Sequence, residues 1–231
     1  TDTLVKKSDI EPIALEEEIE FVLETAQRYL IKKPARADVL SVFAGLRPLA
    51  APEKKGQSTK ELSRSHKIIV SETGLISITG GKWTTYRKIA EEIVNKAITV
   101  HQLPNNKCVT EHLAIHGNKK NSAVDLENHL FIYGTDATAI LQLQESEPKL
   151  KEKLHPNYDY TLAEVVWAIR KEMATTVEDI LARRVRLLFL DARVAIACAE
   201  KVARLLAKEL GHNEEWIQNQ LIEFKAVANG F

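Results

Sequence analysis

The run Thr79-Gly80-Gly81-Lys82-Trp83-Thr84-Thr85-Tyr86-Arg87 sits where a β-rich stretch gives way to a strongly amphipathic one. Adjacent glycines let a backbone approach a ligand closely. A helix start presents unpaired N–H groups and the positive end of a dipole, and both favour an anion. Lys82 and the hydroxyls of Thr84 and Thr85 add donors. The same residues also make a tight turn with ordinary helix capping, so pattern alone leaves both readings open. A nucleotide P-loop is excluded: Ile76 stands where its first glycine is required, and Trp83 follows the lysine in place of Ser or Thr.

Arg47 is the second candidate. It lies between Leu46 and Pro48 at the end of an apolar run. A guanidinium held there suits a phosphate or a developing alkoxide, and it equally suits a structural ion pair. The remaining candidates are weaker. No two of the nine glycines are separated by one residue, so a dinucleotide G-x-G is absent. The histidines at 66, 101, 112, 116, 155 and 212 lack paired metal spacing; His112 and His116 are four apart but lie outside any helical periodicity. Arg183, Arg184 and Arg186 form a local basic cluster, the mark of a solvated or ion-paired helix face more often than of a phosphate reader. Cys198 falls on an apolar stripe and reads as core, while Trp167 and Trp216 read as core or interface aromatics.

These side chains need elements to position them. Leu15, Ile19, Val22, Ala26 and Tyr29 recur at helical spacing, with Pro34 ending the pattern. Val39 to Gly45 is apolar and compact, as in a buried strand. His66–Val70 and Leu75–Thr79 flank Ser71-Glu72-Thr73-Gly74, a hairpin signature. Tyr86, Ile89, Ile93 and Ala97 then form one helix face, opposed by Arg87, Lys88, Glu91 and Glu92. Further on, helix starts repeat: Thr161 with Glu164, Thr176 with Asp179, then Asp191 and Asn213, with Gly211 as a stop. The expected architecture is an α+β portion over residues 1–100, a polar linker over 101–121 and an all-α bundle over 122–231.

Composition narrows the class. The chain has 231 residues, 45% hydrophobic and 28% charged, an ordinary globular mix. Thirty-two basic residues balance 32 acidic ones, which argues against a dedicated nucleic-acid binder. Two cysteines make neither a disulfide framework nor a four-cysteine metal site, and no metal is expected. No apolar run has the length of a membrane span and no signal peptide is visible, which points to a cytoplasmic location. The only methionine is Met173, and the chain opens Thr1-Asp2-Thr3, so a piece of a longer polypeptide is expected.

Val42-Phe43-Ala44-Gly45-Leu46-Arg47-Pro48-Leu49 followed by Gly80-Gly81-Lys82-Trp83-Thr84-Thr85-Tyr86-Arg87 resembles the FAD-dependent glycerol-3-phosphate dehydrogenases and the related glycerophosphate oxidases. Glu172-Met173-Ala174-Thr175-Thr176 through Ala182-Arg183-Arg184, running into Phe189-Leu190-Asp191, is similar to their helical C-terminal domain. Thr1-Asp2-Thr3 is similar to the tail of a Gly-Thr-Thr-Asp-Thr segment of the same family. The resemblance implies the closing part of a flavin and substrate domain followed by a helical bundle. It implies oxidation of glycerol 3-phosphate to dihydroxyacetone phosphate, with electrons passing to quinone or, in oxidases, to oxygen. Arg47 and Lys82 are implied as substrate contacts. Gly80, Gly81, Lys82, Trp83, Thr84 and Thr85 are implied as flavin contacts. The family's general base, a histidine, is expected upstream of this chain, so no catalytic base is assigned within it. FAD is expected in the full-length protein, without tight binding by this chain alone. Amphipathic helices carrying basic residues also allow homo-oligomerisation or peripheral association with the cytoplasmic membrane, a non-catalytic role for residues 122–231.

Overall fold

The computed structural model describes residues 1, 3, 5, 9–46, 66–118 and 127–231. It divides into two compact units, one formed by Leu46–Ile115 and the other by Thr1–Gly45 together with His116–Phe231. Among the described residues no helix is long and apolar enough to cross a membrane. The molecule is mostly helical, with one small sheet.

In the first unit, β1 (Lys67–Val70) and β2 (Ile76–Thr79) pair antiparallel, with Ile68 opposite Ile78 and Val70 opposite Ile76. The turn closes as the sequence predicts. Gly74 adopts φ +84°, its amide donates to the Ser71 carbonyl at 3.0 Å, and the Leu75 amide donates to Ser71 Oγ at 3.0 Å. A left-handed φ at this position is what glycine accepts without penalty. The chain then passes through Gly80, Gly81 and a short 3-10 turn (Trp83–Thr85) into α2 (Tyr86–His101). Ile89, Ile93 and Ala97 are half-buried on α2, as their spacing predicts, whereas Tyr86 of the same expected stripe is exposed.

The second unit begins with α1 (Glu16–Tyr29), which ends ahead of Pro34. The expected buried strand at Val39–Gly45 does not form. The segment has no strand partner among the described residues, and Phe43 is 64% exposed. Its polar groups go to the helical part instead. The Leu40 carbonyl accepts from Ala192 N at 3.1 Å, Val42 N donates to the Phe231 carbonyl at 2.7 Å, and Ser41 Oγ donates to the Leu188 carbonyl at 2.7 Å. Phe43 packs edge-on against Phe189, with ring centroids 5.0 Å apart. These bonds tie residues 40–42 to the helical part, within the compact unit that the structure divides from Leu46–Ile115.

The helical part runs through a 3-10 segment (His129–Asp136), α3 (Ala137–Ser146), a second 3-10 turn (Pro148–Lys151) and α4 (Leu162–Lys171). A π-helical turn (Asp179–Arg184) follows, then α5 (Leu187–Leu190), α6 (Ala192–Leu210) and α7 (Glu214–Ala228). The expected caps are in place. Asp191 Oδ1 accepts from Val194 N at 3.1 Å and Asn213 Oδ1 from Trp216 N at 3.0 Å, while Gly211 ends α6 at φ +77°. Thr176 and Asp179 bond reciprocally, but the turn they start is π-helical.

α6 forms the centre of the core. Ala195, Cys198, Ala199, Val202 and Leu206 are buried on one face, so small side chains admit Ile180, Leu181 and Phe224 from neighbouring elements. Cys198 is core, as expected. A smaller cluster joins Leu130, Ile140, Leu150, Ala163 and Val166. Trp167 and Trp216 are half-buried at the rims of these two clusters.

Gly134 is required by two independent constraints. Its φ is +57° with ψ −120°, and a Cβ there would lie 1.9 Å from the Gly117 carbonyl oxygen. Gly211 has positive φ but open space around the missing Cβ. Gly211→Ala should therefore cost about 1 kcal/mol, the strain of one left-handed alanine. Gly134→Ala should cost clearly more, because its backbone neighbour cannot yield. Urea unfolding of the two variants checks the order; equal midpoints would contradict it.

Candidate functional site

The turn between β2 and α2 can be built residue by residue. Gly80 has φ +74° and Gly81 φ +93°. At Gly81 a Cβ would lie 2.7 Å from Ile89 Cδ1 and 3.2 Å from His66 Cβ. The structure thus gives Gly81 a packing reason: only a bare Cα lets the hairpin close onto α2. Nearby, His66 Nε2 and Glu92 Oε2 are 2.7 Å apart, which ties the first residue of the hairpin to the same helix.

Lys82 has extended backbone, and its carbonyl accepts from both Thr85 N and Thr85 Oγ1 at 3.0 Å. The Thr85 hydroxyl therefore donates within the turn and keeps only its lone pairs for other partners. No side chain caps the 3-10 turn or the start of α2. Lys82 makes no ion pair among the described residues. Trp83 is 85% exposed and stacks on Tyr86, with centroids 5.4 Å apart and planes inclined by 25°. Thr84 is exposed. Arg87 is turned away to other work. It donates to Glu91 at 2.9 Å and to Thr110 Oγ1 at 3.3 Å, and its guanidinium holds the Glu91 carboxyl below the usual carboxylate range.

The structure thus brings Gly80, Gly81, Lys82, Trp83, Thr84 and Thr85 into one turn whose cation is unpaired and whose helix start is uncapped among the described residues, with its indole in the open. Such a surface can receive an anion at the amides and ammonium and a flat ring at the indole. Arg47 lies outside the described residues.

The weaker candidates resolve differently. Arg183 pairs with Glu178 and Asp179, and Arg184 lies 3.5 Å from Glu172 Oε2. Arg186 stands 5.5 Å over the Phe189 ring. The basic cluster is therefore internally satisfied. His116 contacts Asp136 at 2.6 Å, and among the described residues no group of three His, Cys, Asp or Glu could hold a metal.

One polar cluster escaped the sequence reading. Glu164, read there as half of a capping box, is fully buried. Its Oε2 accepts from Thr161 N at 2.8 Å and Thr161 Oγ1 at 3.2 Å and lies 3.0 Å from His129 Nε2, while Oε1 accepts from Tyr133 OH at 3.3 Å. Hydrogen bonding to Glu164 raises the His129 imidazole above its ordinary value, and burial pushes the Tyr133 phenol up. Only one signal in the sequence pointed there: a carboxylate set inside the apolar run Ala163-Glu164-Val165-Val166.

The C-terminal domain of alpha-glycerophosphate oxidase matches residues 71–217 of the chain. A probable mitochondrial glycerol-3-phosphate dehydrogenase of Caenorhabditis elegans is 39% identical over 224 residues, covering 87% of this chain and 31% of the relative. The corresponding probable enzyme of Dictyostelium discoideum is 35% identical over 232 residues, covering 91% of this chain and 36% of the relative. The mitochondrial glycerol-3-phosphate dehydrogenase of Mesocricetus auratus is 35% identical over 234 residues, covering 93% and 32%. The chain spans about a third of the length of the curated relatives it matches. By the match over residues 71–217, which takes in α2, the whole of α6 and the turn that carries Lys82, the chain belongs to the family of alpha-glycerophosphate oxidase C-terminal domains.

Proposed function

We propose that this chain is the C-terminal part of an FAD-dependent enzyme that oxidises glycerol 3-phosphate to dihydroxyacetone phosphate and passes the electrons to quinone. The observation that carries the reading is the turn from Gly80 to Thr85, which lies inside the family match and keeps Lys82 without an ion pair. The similarity to proteins named glycerol-3-phosphate dehydrogenase supports the substrate. On this reading the hairpin and α2 belong to the closing part of the flavin and substrate domain.

The residues present fit a flavin. An uncapped helix start favours the negative charge that a reduced isoalloxazine gathers at its pyrimidine side, and the exposed Trp83 offers an apolar plane beside it. Gly80, Gly81, Lys82, Trp83, Thr84 and Thr85 would hold it. When bound, FAD supplies the acceptor for the two electrons and the hydrogen removed from C2 of the substrate. The residues of this chain bind and orient. Lys82 and Arg47 are assigned to the substrate, where two cations offset the phosphate charge and favour alkoxide character at the C2 oxygen. The proton leaving that hydroxyl goes to a base outside this chain.

In the full-length enzyme, Lys82→Ala and Arg47→Ala should each cost about 2–4 kcal/mol in kcat/KM, the range for single charge-stabilising donors. Lys82→Ala should leave thermal unfolding of the chain unchanged, because the side chain is exposed and makes no ion pair among the described residues. Gly81→Ala should lower both stability and turnover, because the added methyl meets Ile89 and His66. Steady-state kinetics beside thermal melts separates these outcomes, and near-normal turnover in both cation variants would sink the assignment. Peroxide formed in step with product would transfer the electron acceptor from quinone to oxygen.

A further inference from the structure

The buried carboxylate of Glu164 and its half-buried partner His129 lie in the helical unit, apart from the turn at Lys82. Glu164 is fully buried, whereas the His129 side chain keeps 29% of its surface exposed. A proton can therefore reach the imidazole from solvent while the carboxylate has no water to turn to. The other groups on Glu164 are neutral: Thr161 N, Thr161 Oγ1 and Tyr133 OH. Among the described residues, His129 is the one group bonded to Glu164 that can bring a positive charge.

What this pair holds together is specific. His129 and Tyr133 both belong to the 3-10 segment His129–Asp136, and Glu164 belongs to α4. The far end of that segment binds residues 116–118, where the chain re-enters the helical unit. Thr135 N donates to the Gly117 carbonyl at 3.0 Å, and His116 contacts Asp136 at 2.6 Å. We propose that His129 and Glu164 form a proton-dependent latch that fastens the His129–Asp136 segment, and through it residues 116–118, onto α4.

The groups facing His129 are Glu164 of α4 and Asp159, Lys153 and Tyr160 of the stretch ahead of α4, while Tyr133 of its own segment bonds to the other oxygen of Glu164. Glu164 and Asp159 favour the imidazolium and Lys153 opposes it, with the Glu164 bond the largest influence. The imidazole is held above its ordinary value. The stabilisation is therefore fully present below the ordinary histidine range and is lost as pH rises through the folded value. Once the proton leaves, His129 no longer brings a positive charge to the Glu164 carboxyl, and the latch weakens.

Hydrogen exchange on the 231-residue chain tests this directly. The protection of the Thr135 amide is read against that of Val202 in the core of α6, from about pH 5 upward. The His129 titration is followed in parallel by NMR. The Thr135-to-Val202 ratio should fall as pH passes the His129 midpoint, tenfold for each pH unit by which that midpoint exceeds the ordinary value. His129→Gln keeps a neutral donor beside Glu164 and should show no step, and Glu164→Gln should return the His129 midpoint towards the ordinary value. If Glu164→Gln does not fold, His129→Gln still decides the matter. A ratio that stays level through the midpoint in the unaltered chain, or an undiminished step in His129→Gln, overturns the latch.

Discussion

The helical unit depends on one costly arrangement, a carboxylate buried inside the apolar first turn of α4. A carboxyl group taken out of water is tolerated only when its polar atoms find partners. At Glu164 that need brings distant chain together. Thr161 fills part of the requirement locally as the helix begins, and the rest must come from His129 and Tyr133, 35 and 31 residues earlier. The 3-10 segment is therefore where it is because α4 requires donors, and Gly134 turns within it to let the Gly117 carbonyl approach. The smaller core cluster of Leu130, Ile140, Leu150, Ala163 and Val166 grows around the same junction.

The two glycine turns solve related problems with different results. Gly134 and Gly81 both have positive φ and a close neighbour where a Cβ would stand. At Gly134 the neighbour is backbone, so the contact is a fixed joint. At Gly81 it is the tip of Ile89 and the Cβ of His66, so the glycine sets how closely a hairpin can lie on a helix. That closeness leaves Lys82, Trp83 and Thr84 on the outside of the bend. Packing and exposure are two sides of one turn there, which is why the two readings of the Gly-Gly pair do not compete.

Periodicity and capping chemistry made most of the helices legible, because each depends on residues within one or two turns. Thr161, Asp191, Asn213 and Gly211 act where their types place them. The hairpin was legible for the same reason. Val39 to Gly45 was not. Its apolar character reads as a strand, but whether an extended segment finds a strand or helix ends as partner is decided by residues 188–231, beyond any local window. The Glu164 cluster was hidden in the same way, since a capping box and a buried charge look identical until the third partner is known. The candidate turn was legible as a pattern, while its uncapped start and unpaired lysine are properties of the folded chain.

A net charge of zero says little about where charge is available. In the helical unit three arginines are committed to carboxylates: Arg170 to Glu209 and Glu147, Arg204 to Glu200 and Glu214, Arg183 to Glu178 and Asp179. Such exposed pairs each contribute only about 0–1 kcal/mol. On α2 the same holds for Arg87 and Lys88, which share Glu91. Lys82 stands one turn earlier, outside the reach of those i,i+3 and i,i+4 carboxylates, because the helix has not yet begun. Its position at the end of the glycine bend thus separates it from the charge pairing that neutralises Arg87 and Lys88.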